Sequence, residues 1–566
     1  FAARLRRPKD VPDSEKIEYV EKIIDTLEMN EYAEALVGPS GAGLNVEQKK
    51  KLSIAVELVV KPSLLLFLDE PTSGLDSQSA WAIVKLLRLL SEAGQSILCT
   101  IHQPSATLFE AFDRLLLLKK GGQTVYFGDI GKRSSTILNY FELHGARRCE
   151  DHENPAEYVL EAIGAGATAT VKADWHEIWK NSLEQIDADK TGDKLLAEYM
   201  ANSSSEVVHS ALTFATPLLY QFFIVLRRNA LMFWRNPEYI IAKTMLMTVG
   251  GLFIGFTFYG IKHSIVGMQN GMFTAFISVV IAAPLINQIQ SQAISGRDLY
   301  EVREKMLKTY HWLMMIICQF LNELPYCFFG AAILFVCIYF PSRADFSGPH
   351  SGVFYLTLGV FFQFYYVLFG LAILYFAPDV ELAAILVSFF YSFIVAFSGV
   401  VQPTSLMPGF WTFMNKLSPY TYFIDNLVSS ILHDREVKCS KNELAYFNPR
   451  LGETCGEFLS DFLASSGGYL VNPDATSNCG YCKYQVADDF LKTVGYLYHH
   501  IWRNLGFFCA YILFNFVVML GLYYFFRVRT GSIIPSFITK KIEEVKLKKE
   551  KKKQEAEAQK AVETSQ

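Results

Sequence analysis

Residues Leu64–Asp76 read LLLFLDEPTSGLD, and His102 closes the later run ILCTIHQPS. Leu64–Leu68 is continuously apolar, which suits a strand buried on both faces of a parallel sheet. Ligands of open α/β sheets bind at the carboxyl ends of the strands. Asp69 stands there, placed to orient a Mg²⁺ ion through water, and Glu70 follows it, placed to polarise an attacking water. Ser96–Ile101 is rich in β formers and reads as the neighbouring strand, delivering His102, whose ring can donate to a terminal phosphate. Between the two, Ser73-Gly74-Leu75-Asp76 makes a tight turn into a helix. Each signal alone also fits an ordinary core strand or loop; the order and spacing carry the reading.

Taken together, these motifs resemble the nucleotide-binding domain of an ATP-binding-cassette (ABC) transporter from Val37 to about Asp129. The resemblance implies Leu64–Asp69 as Walker B, Glu70 as the catalytic glutamate, Ser73, Gly74 and Asp76 as D-loop residues at the nucleotide, and His102 as the switch histidine, with ATP and Mg²⁺ as cofactors. Leu44-Asn45-Val46-Glu47-Gln48 lies ahead of a helix expected at Lys49–Leu58, where the family carries LSGGQ. Val46 and Glu47 replace the two glycines that let backbone amides approach a phosphate, and a carboxylate there repels it. LNVEQ resembles the second cassette of full-length fungal pleiotropic-drug-resistance transporters. In that family the degenerate signature completes a poorly hydrolysing site, while Walker B and the histidine serve the competent one. Gly38–Gly43 opens like a P-loop, but Leu44 and Asn45 stand where Lys and Ser/Thr are required, so it reads as a flexible entry to the signature helix. No other GxxxxGK[ST] occurs, and the chain begins with Phe1. The expectation is a truncated cassette, starting inside its helical part and binding ATP poorly by itself.

The elements that position these residues belong to a two-part chain. Its 566 residues are 51% hydrophobic and 19% charged, with mean hydropathy +0.20, too apolar for a purely soluble protein. The net charge of -4 is too small to imply a polyanionic partner, and no cleavable signal peptide is visible at Phe1. Asp113–Lys119 and Gln123–Phe127 flank Gly121-Gly122 as a β-hairpin. Gly164–Thr170 and Asn202–Ser205 read as linkers, and the sequon Asn202-Ser203-Ser204 is expected to stay unmodified in the cytosol. Pro217–Arg235 mixes apolar and basic residues, as a helix lying at a membrane surface does. Six apolar stretches of about 20 residues follow: Tyr239–Tyr259, Gly271–Ile289, Met314–Tyr339, Val353–Phe376, Leu382–Val401 and Leu505–Phe526. An even count returns the lysine-rich tail to the cytosolic side, in keeping with the positive-inside rule. Its glutamates offset the lysines and no aromatics are interleaved with them, which speaks against a nucleic-acid partner.

Within the third stretch, Asn322, Glu323 and Pro325 combine a costly carboxylate with a helix-kinking proline, as a functional group or as a structural polar cluster. Gly296–Tyr310 is charged. It resembles the coupling segment of ABC subfamily G exporters, which implies Tyr300, Glu301, Arg303 and Glu304 as transmitters of motion; a solvated loop is the alternative. Gln402–Leu427, broken by Pro403, Pro408, Gly409 and Pro419, resembles the re-entrant segment of that subfamily. Four of the ten cysteines, Cys439, Cys455, Cys479 and Cys482, fall in the last large loop, where an oxidising compartment favours two disulfides in one of three pairings; half of a zinc site is the alternative.

The fold expected is an incomplete α/β P-loop-type nucleotide-binding domain (1–130), a cytosolic linker region (131–216) and an interfacial helix (217–236). An all-α six-helix transmembrane domain of ABC-2, subfamily G type (237–527) follows, with an external loop at about 428–500 and a basic cytosolic tail (528–566). The implied activity is ATP-driven export of hydrophobic compounds across the plasma membrane, partnered by the N-terminal half of the same transporter and by membrane lipid. Phe253, Phe258, Tyr391 and Phe397 are placed at the substrate cavity by position only. A lipid or sterol translocase, a half-size homodimer with LNVEQ in both sites, and a non-hydrolysing scaffold or broken-gene fragment are the other readings.

Overall fold

In the computed structural model, which describes residues 1–38, 43–62, 65–164, 173–202, 213–342 and 348–529, the chain forms two units, Phe1–Pro217 and Leu218–Gln566. The P-loop-like Pro39–Ala42, most of the two linker stretches and the tail lysines lie outside the described residues.

The first unit is built on α1 (Asp13–Thr26), α2 (Val46–Leu58), β1 (Leu65–Leu68), α3 (Ser77–Glu92) and β2 (Ser96–Cys99). Strands β1 and β2 pair in parallel, Leu65 opposite Ser96 through Leu68 opposite Cys99, with α3 as their crossover. Leu66 packs with Ile23 of α1 and Leu27 just after it, Ile54 and Leu58 of α2, and Ile83 and Leu87 of α3. The other face differs from the sequence expectation of burial on both sides. Leu65 and Phe67 are 38% and 68% exposed, because side chains alternate along a strand and among the described residues no layer packs on that face. Helix α2 also starts earlier than expected, at Val46. Asn45 Oδ1 accepts from the Gln48 amide (2.7 Å) and Gln48 Oε1 accepts from the Asn45 amide (3.0 Å), a reciprocal capping box.

Next come β3 (Arg114–Lys119) and β4 (Gln123–Asp129), the expected hairpin, turning through Gly121 and Gly122 at φ 95° and 78°, which only glycine adopts freely. The hairpin shares a core with α4 (Ser135–Leu143), α5 (Pro155–Ala162) and α6 (Trp175–Lys180). Val125, Tyr126, Tyr140, Phe141, Trp175 and Trp179 form one cluster. The boundary expected at residue 130 therefore falls inside a continuous core.

In the second unit, α7 (Leu218–Trp234) buries Gln221, Val225, Asn229 and Phe233, one face at four-residue spacing. Among the described residues five helices are long and apolar enough to cross a membrane: α8 (Pro237–Thr257), α9 (Ile265–Glu304, with a turn at Ile281), α10 (Trp312–Ser342), α11 (Pro349–Phe376) and α13 (Tyr498–Val528). The fifth expected span is shorter, α12 (Val380–Ala396). Its 17 residues reach about 26 Å at 1.5 Å per residue, short of a hydrocarbon core of about 30 Å. The second span also departs from expectation. It does not end at Ile289 but continues as helix through the charged residues to Glu304. Gly251 and Gly255 bring α8 close to α10, since a Cβ on Gly255 would collide with the Cys337 carbonyl.

After α12 the prolines break the chain as expected, but Pro419 opens a 14-residue helix, Pro419–Leu432, of which Phe423–Leu432 is buried throughout. The loop thus begins at His433, not 428. It carries a three-stranded sheet, Ala445–Phe447, Cys479–Cys482 and Tyr469–Leu470 in spatial order, and two disulfides, Cys439–Cys482 and Cys455–Cys479. Asn472 organises the turn ahead of the CxxC, accepting from the Gly480 amide (2.8 Å) and donating to the Asn478 carbonyl (3.0 Å). Replacing both Cys455 and Cys479 by serine is expected to destabilise this lobe by about 2–4 kcal/mol, read as faster tryptic cleavage after Arg450 without a change in cleavage elsewhere.

Candidate functional site

At the carboxyl end of β1, chain geometry fixes a small acidic centre. Thr100, just past β2, donates its hydroxyl to Asp69 Oδ1 (2.6 Å) and accepts from the Glu70 amide on the same oxygen (2.9 Å), while its own amide donates to the Leu68 carbonyl (3.0 Å). Glu70 stands at φ 45°, in the left-handed region that disfavours a residue with a Cβ. Its carbonyl accepts from the Ser73 amide (3.2 Å) and from Lys50 Nζ (3.1 Å); Lys50 also donates to the Ser73 carbonyl (2.5 Å). Gly74 turns at φ 72° into Asp76, the N-cap of α3, where Ser79 and the first-turn amides hold the Asp76 carboxyl below its ordinary pKa. Asp69, Glu70, Ser73, Asp76 and His102 are exposed.

The geometry supplies one oriented carboxylate, Asp69, at the strand end. Mg²⁺ keeps several waters and takes few protein ligands, so a single oriented carboxylate such as Asp69 suffices when phosphate supplies the rest. Among the described residues no three His, Cys, Asp or Glu side chains form a self-contained metal site. The LNVEQ segment is committed differently. Leu44 is buried, with its amide donating to the Leu36 and Val37 carbonyls (3.2 Å each), Asn45 and Gln48 cap α2, Val46 is 56% exposed, and Glu47 pairs with Lys51 (3.3 Å). Sequence reasoning did not find Thr100 or Lys50. Thr100 was signalled by its place two residues before His102, and Lys50 only by its helical phase within Lys49–Lys51.

The second unit holds its charges inside. Glu323 accepts from Tyr239 Oη and Lys243 Nζ at 2.6 Å each, with the Lys243 and Glu323 side chains 3% and 4% exposed. Asn322 does not join this cluster; it donates to the Cys318 carbonyl of its own helix (2.7 Å), upstream of Pro325. Glu304 pairs with Arg228 of α7 and accepts from Tyr310 Oη (2.6 Å), and Glu301 pairs with Arg527 (3.1 Å). Tyr300 and Glu304 are therefore buried and Arg303 half-buried, so the four coupling candidates do not form one presented surface. The exposed positions of that turn are Val302 and Met306. Of the cavity candidates, Tyr391 is buried with its hydroxyl on the Val279 carbonyl, and Phe253 is exposed.

Residues 220–432 match the family described as ABC-2 type transporter, and residues 102–184 match a second family of the same description. Protein SNQ2 of Saccharomyces cerevisiae is 57% identical over 552 residues, covering 97% of this chain and 37% of the relative. ABC multidrug transporter SNQ2 of Candida glabrata is 58% identical over 531 residues (94% and 35%). The chain belongs to the fungal pleiotropic-drug-resistance family of ABC-2 type transporters. Brefeldin A resistance protein of Schizosaccharomyces pombe, 48% identical over 536 residues (93% and 35%), is a more distant relative. The chain spans little more than a third of the length of these relatives. As an ABC-2 type transporter with five long apolar helices among the described residues, it is a multi-pass membrane protein. In such a transporter the Lys243–Glu323 pair has a clear energetic signature. Lys243→Met is expected to destabilise the helical unit by about 3–5 kcal/mol, and Lys243→Met with Glu323→Leu to recover most of the loss, read from thermal unfolding in detergent.

Proposed function

We propose that this chain is the C-terminal half of an ATP-driven exporter of hydrophobic compounds across the plasma membrane. The observation that carries the proposal is the acidic centre at the end of a parallel strand, Asp69 fixed by Thr100 and Glu70 beside it, in a chain whose relatives are named for multidrug transport and drug resistance. In this reading the stretch of the first unit from residue 1 to about 130 is part of a nucleotide-binding domain. ATP with Mg²⁺ supplies the free energy for the transport cycle. Asp69 orients the metal through water, Glu70 positions the attacking water, His102 contacts the terminal phosphate, and Ser73, Gly74 and Asp76 face the opposing nucleotide site. The cassette and membrane domain of the N-terminal half complete both sites and the translocation path.

The Leu44–Gln48 geometry supports two unequal sites. With Asn45 and Gln48 spent on the cap and Glu47 in the first turn, this helix end offers an anion a carboxylate where a hydroxyl and glycine amides would serve. Such a signature suits a site that binds nucleotide and hydrolyses it slowly. Tyr300, Glu301, Arg303 and Glu304 transmit motion in this reading, with Glu301 and Glu304 held by Arg527 and Arg228. Hydrophobic small molecules or lipids are the cargo, the nucleotide unit and the C-terminus are cytosolic, and the disulfide lobe faces the oxidising exterior.

Glu70→Gln in the whole transporter is expected to abolish ATP turnover while photolabelling by an ATP analogue persists. Undiminished ATPase activity would remove Glu70 from the catalytic role and the hydrolytic reading with it.

A further inference from the structure

Glu70 is held from both sides of its peptide. Its amide meets the Thr100 hydroxyl (2.9 Å), which also fixes Asp69 (2.6 Å), and its carbonyl meets Lys50 Nζ (3.1 Å), which also takes the Ser73 carbonyl (2.5 Å). Between the two lies a glutamate at φ 45°, a conformation that a non-glycine backbone keeps only where its surroundings over-determine it. Left to itself, this residue would relax toward the extended or right-handed region and re-aim its side chain.

We propose that Lys50 and Thr100 are positioning residues that clamp the Glu70 peptide in its left-handed conformation, so that Asp69 and Glu70 face the same nucleotide. The proposal deepens the hydrolytic reading and rests on it.

Lys50 differs from its neighbours in the lysine run. Lys51 makes a helical ion pair with Glu47, an ordinary partner for a lysine on a helix surface. Lys50 instead puts its ammonium on two main-chain carbonyls three residues apart, and its burial pushes its pKa below the usual lysine range against the opposing pull of Glu70. An ammonium used this way is a peg with several donors, not a partner for one charge. It joins α2, which begins in the LNVEQ segment, to the peptide of the catalytic glutamate and to the turn Ser73–Asp76. A shift of α2 is thereby carried to the Glu70 carboxylate. Thr100 supplies the matching grip from β2, two residues before His102.

The test uses the whole transporter purified from membranes, with ATPase kcat and KM measured alongside photolabelling by an ATP analogue. Lys50→Met keeps the stem and removes the donors; Thr100→Val keeps the shape and removes the hydroxyl. Each is expected to lower kcat about tenfold or more with KM and photolabelling changed less than about twofold, whereas Thr100→Ser keeps at least about half of the wild-type kcat. Glu70→Gln runs in parallel. If it is inactive while Lys50→Met and Thr100→Val turn over at the wild-type rate, the clamp is overturned and the hydrolytic reading stands. If Glu70→Gln is fully active, the reading itself has failed. Loss of kcat and photolabelling in equal measure, with no rescue by Thr100→Ser, would make both residues structural and also overturn the clamp.

Discussion

The Lys243–Glu323 pair, with Tyr239 as a third member, is the interaction on which the helical unit's arrangement turns. Two opposite charges with almost no access to solvent are tolerable only when each finds the other at hydrogen-bonding distance, so α8 and α10 have one acceptable register. The glycines of α8 then allow the backbones to approach at the other end of the same contact. The same rule recurs toward the ends of the long helices. Arg297, 1% exposed, donates to the carbonyls of Leu374 (2.9 Å), Ala377 (2.7 Å) and Pro378 (2.8 Å), groups that the end of α11 leaves without helical partners. Arg527 donates to the Ala377 carbonyl as well (2.9 Å) and pairs with Glu301. Three helices therefore meet at one knot of cations and carbonyls, beside which Arg228, Glu304 and Tyr310 attach α7.

The turn after β1 and the end of β2 were legible because they are linear. Asp69, Glu70, Ser73 and His102 announce themselves by residue type and spacing, and the hairpin by its Gly-Gly turn. Glu323 stood out because an apolar stretch gives a carboxylate nowhere to hide, but its partner did not, since Lys243 lies eighty positions away in the chain and looks in sequence like a residue at the end of a span. Asn322, one residue from Glu323, points by helical rotation to its own backbone. The charged stretch after Ile289 was misjudged for a related reason. Charge suggests a loop, but Arg297 and Glu304 are paired by other helices, and a paired charge continues a helix as well as leucine does.

Register and exposure were the other losses. A run of five apolar residues cannot say whether one or both faces of its strand are covered. Leu65 and Phe67 alternate with Leu66, and only packing from elsewhere decides. Likewise a lysine run gives no hint of which ammonium turns inward, and Lys50 emerges only once α2 is set against the turn that follows β1. The start of α2 was readable in hindsight, because Asn45 and Gln48 at their three-residue spacing spell a helix N-terminus.

The two disulfides are nested: the ring closed by Cys455–Cys479 lies wholly inside the one closed by Cys439–Cys482. Outside the outer bond, Arg435 donates to the Ile261 carbonyl (3.3 Å) and the Lys438 amide to that of His263 (2.5 Å), while Glu443, within the outer ring only, accepts from the Val266 amide (2.8 Å). These hydrogen bonds from the lobe to Ile261, His263 and Val266 are thus made outside the inner ring. The inner ring, with its helix Cys455–Ser466, is closed by the lobe's own covalent bond, while those hydrogen bonds run from the segment around the outer bond.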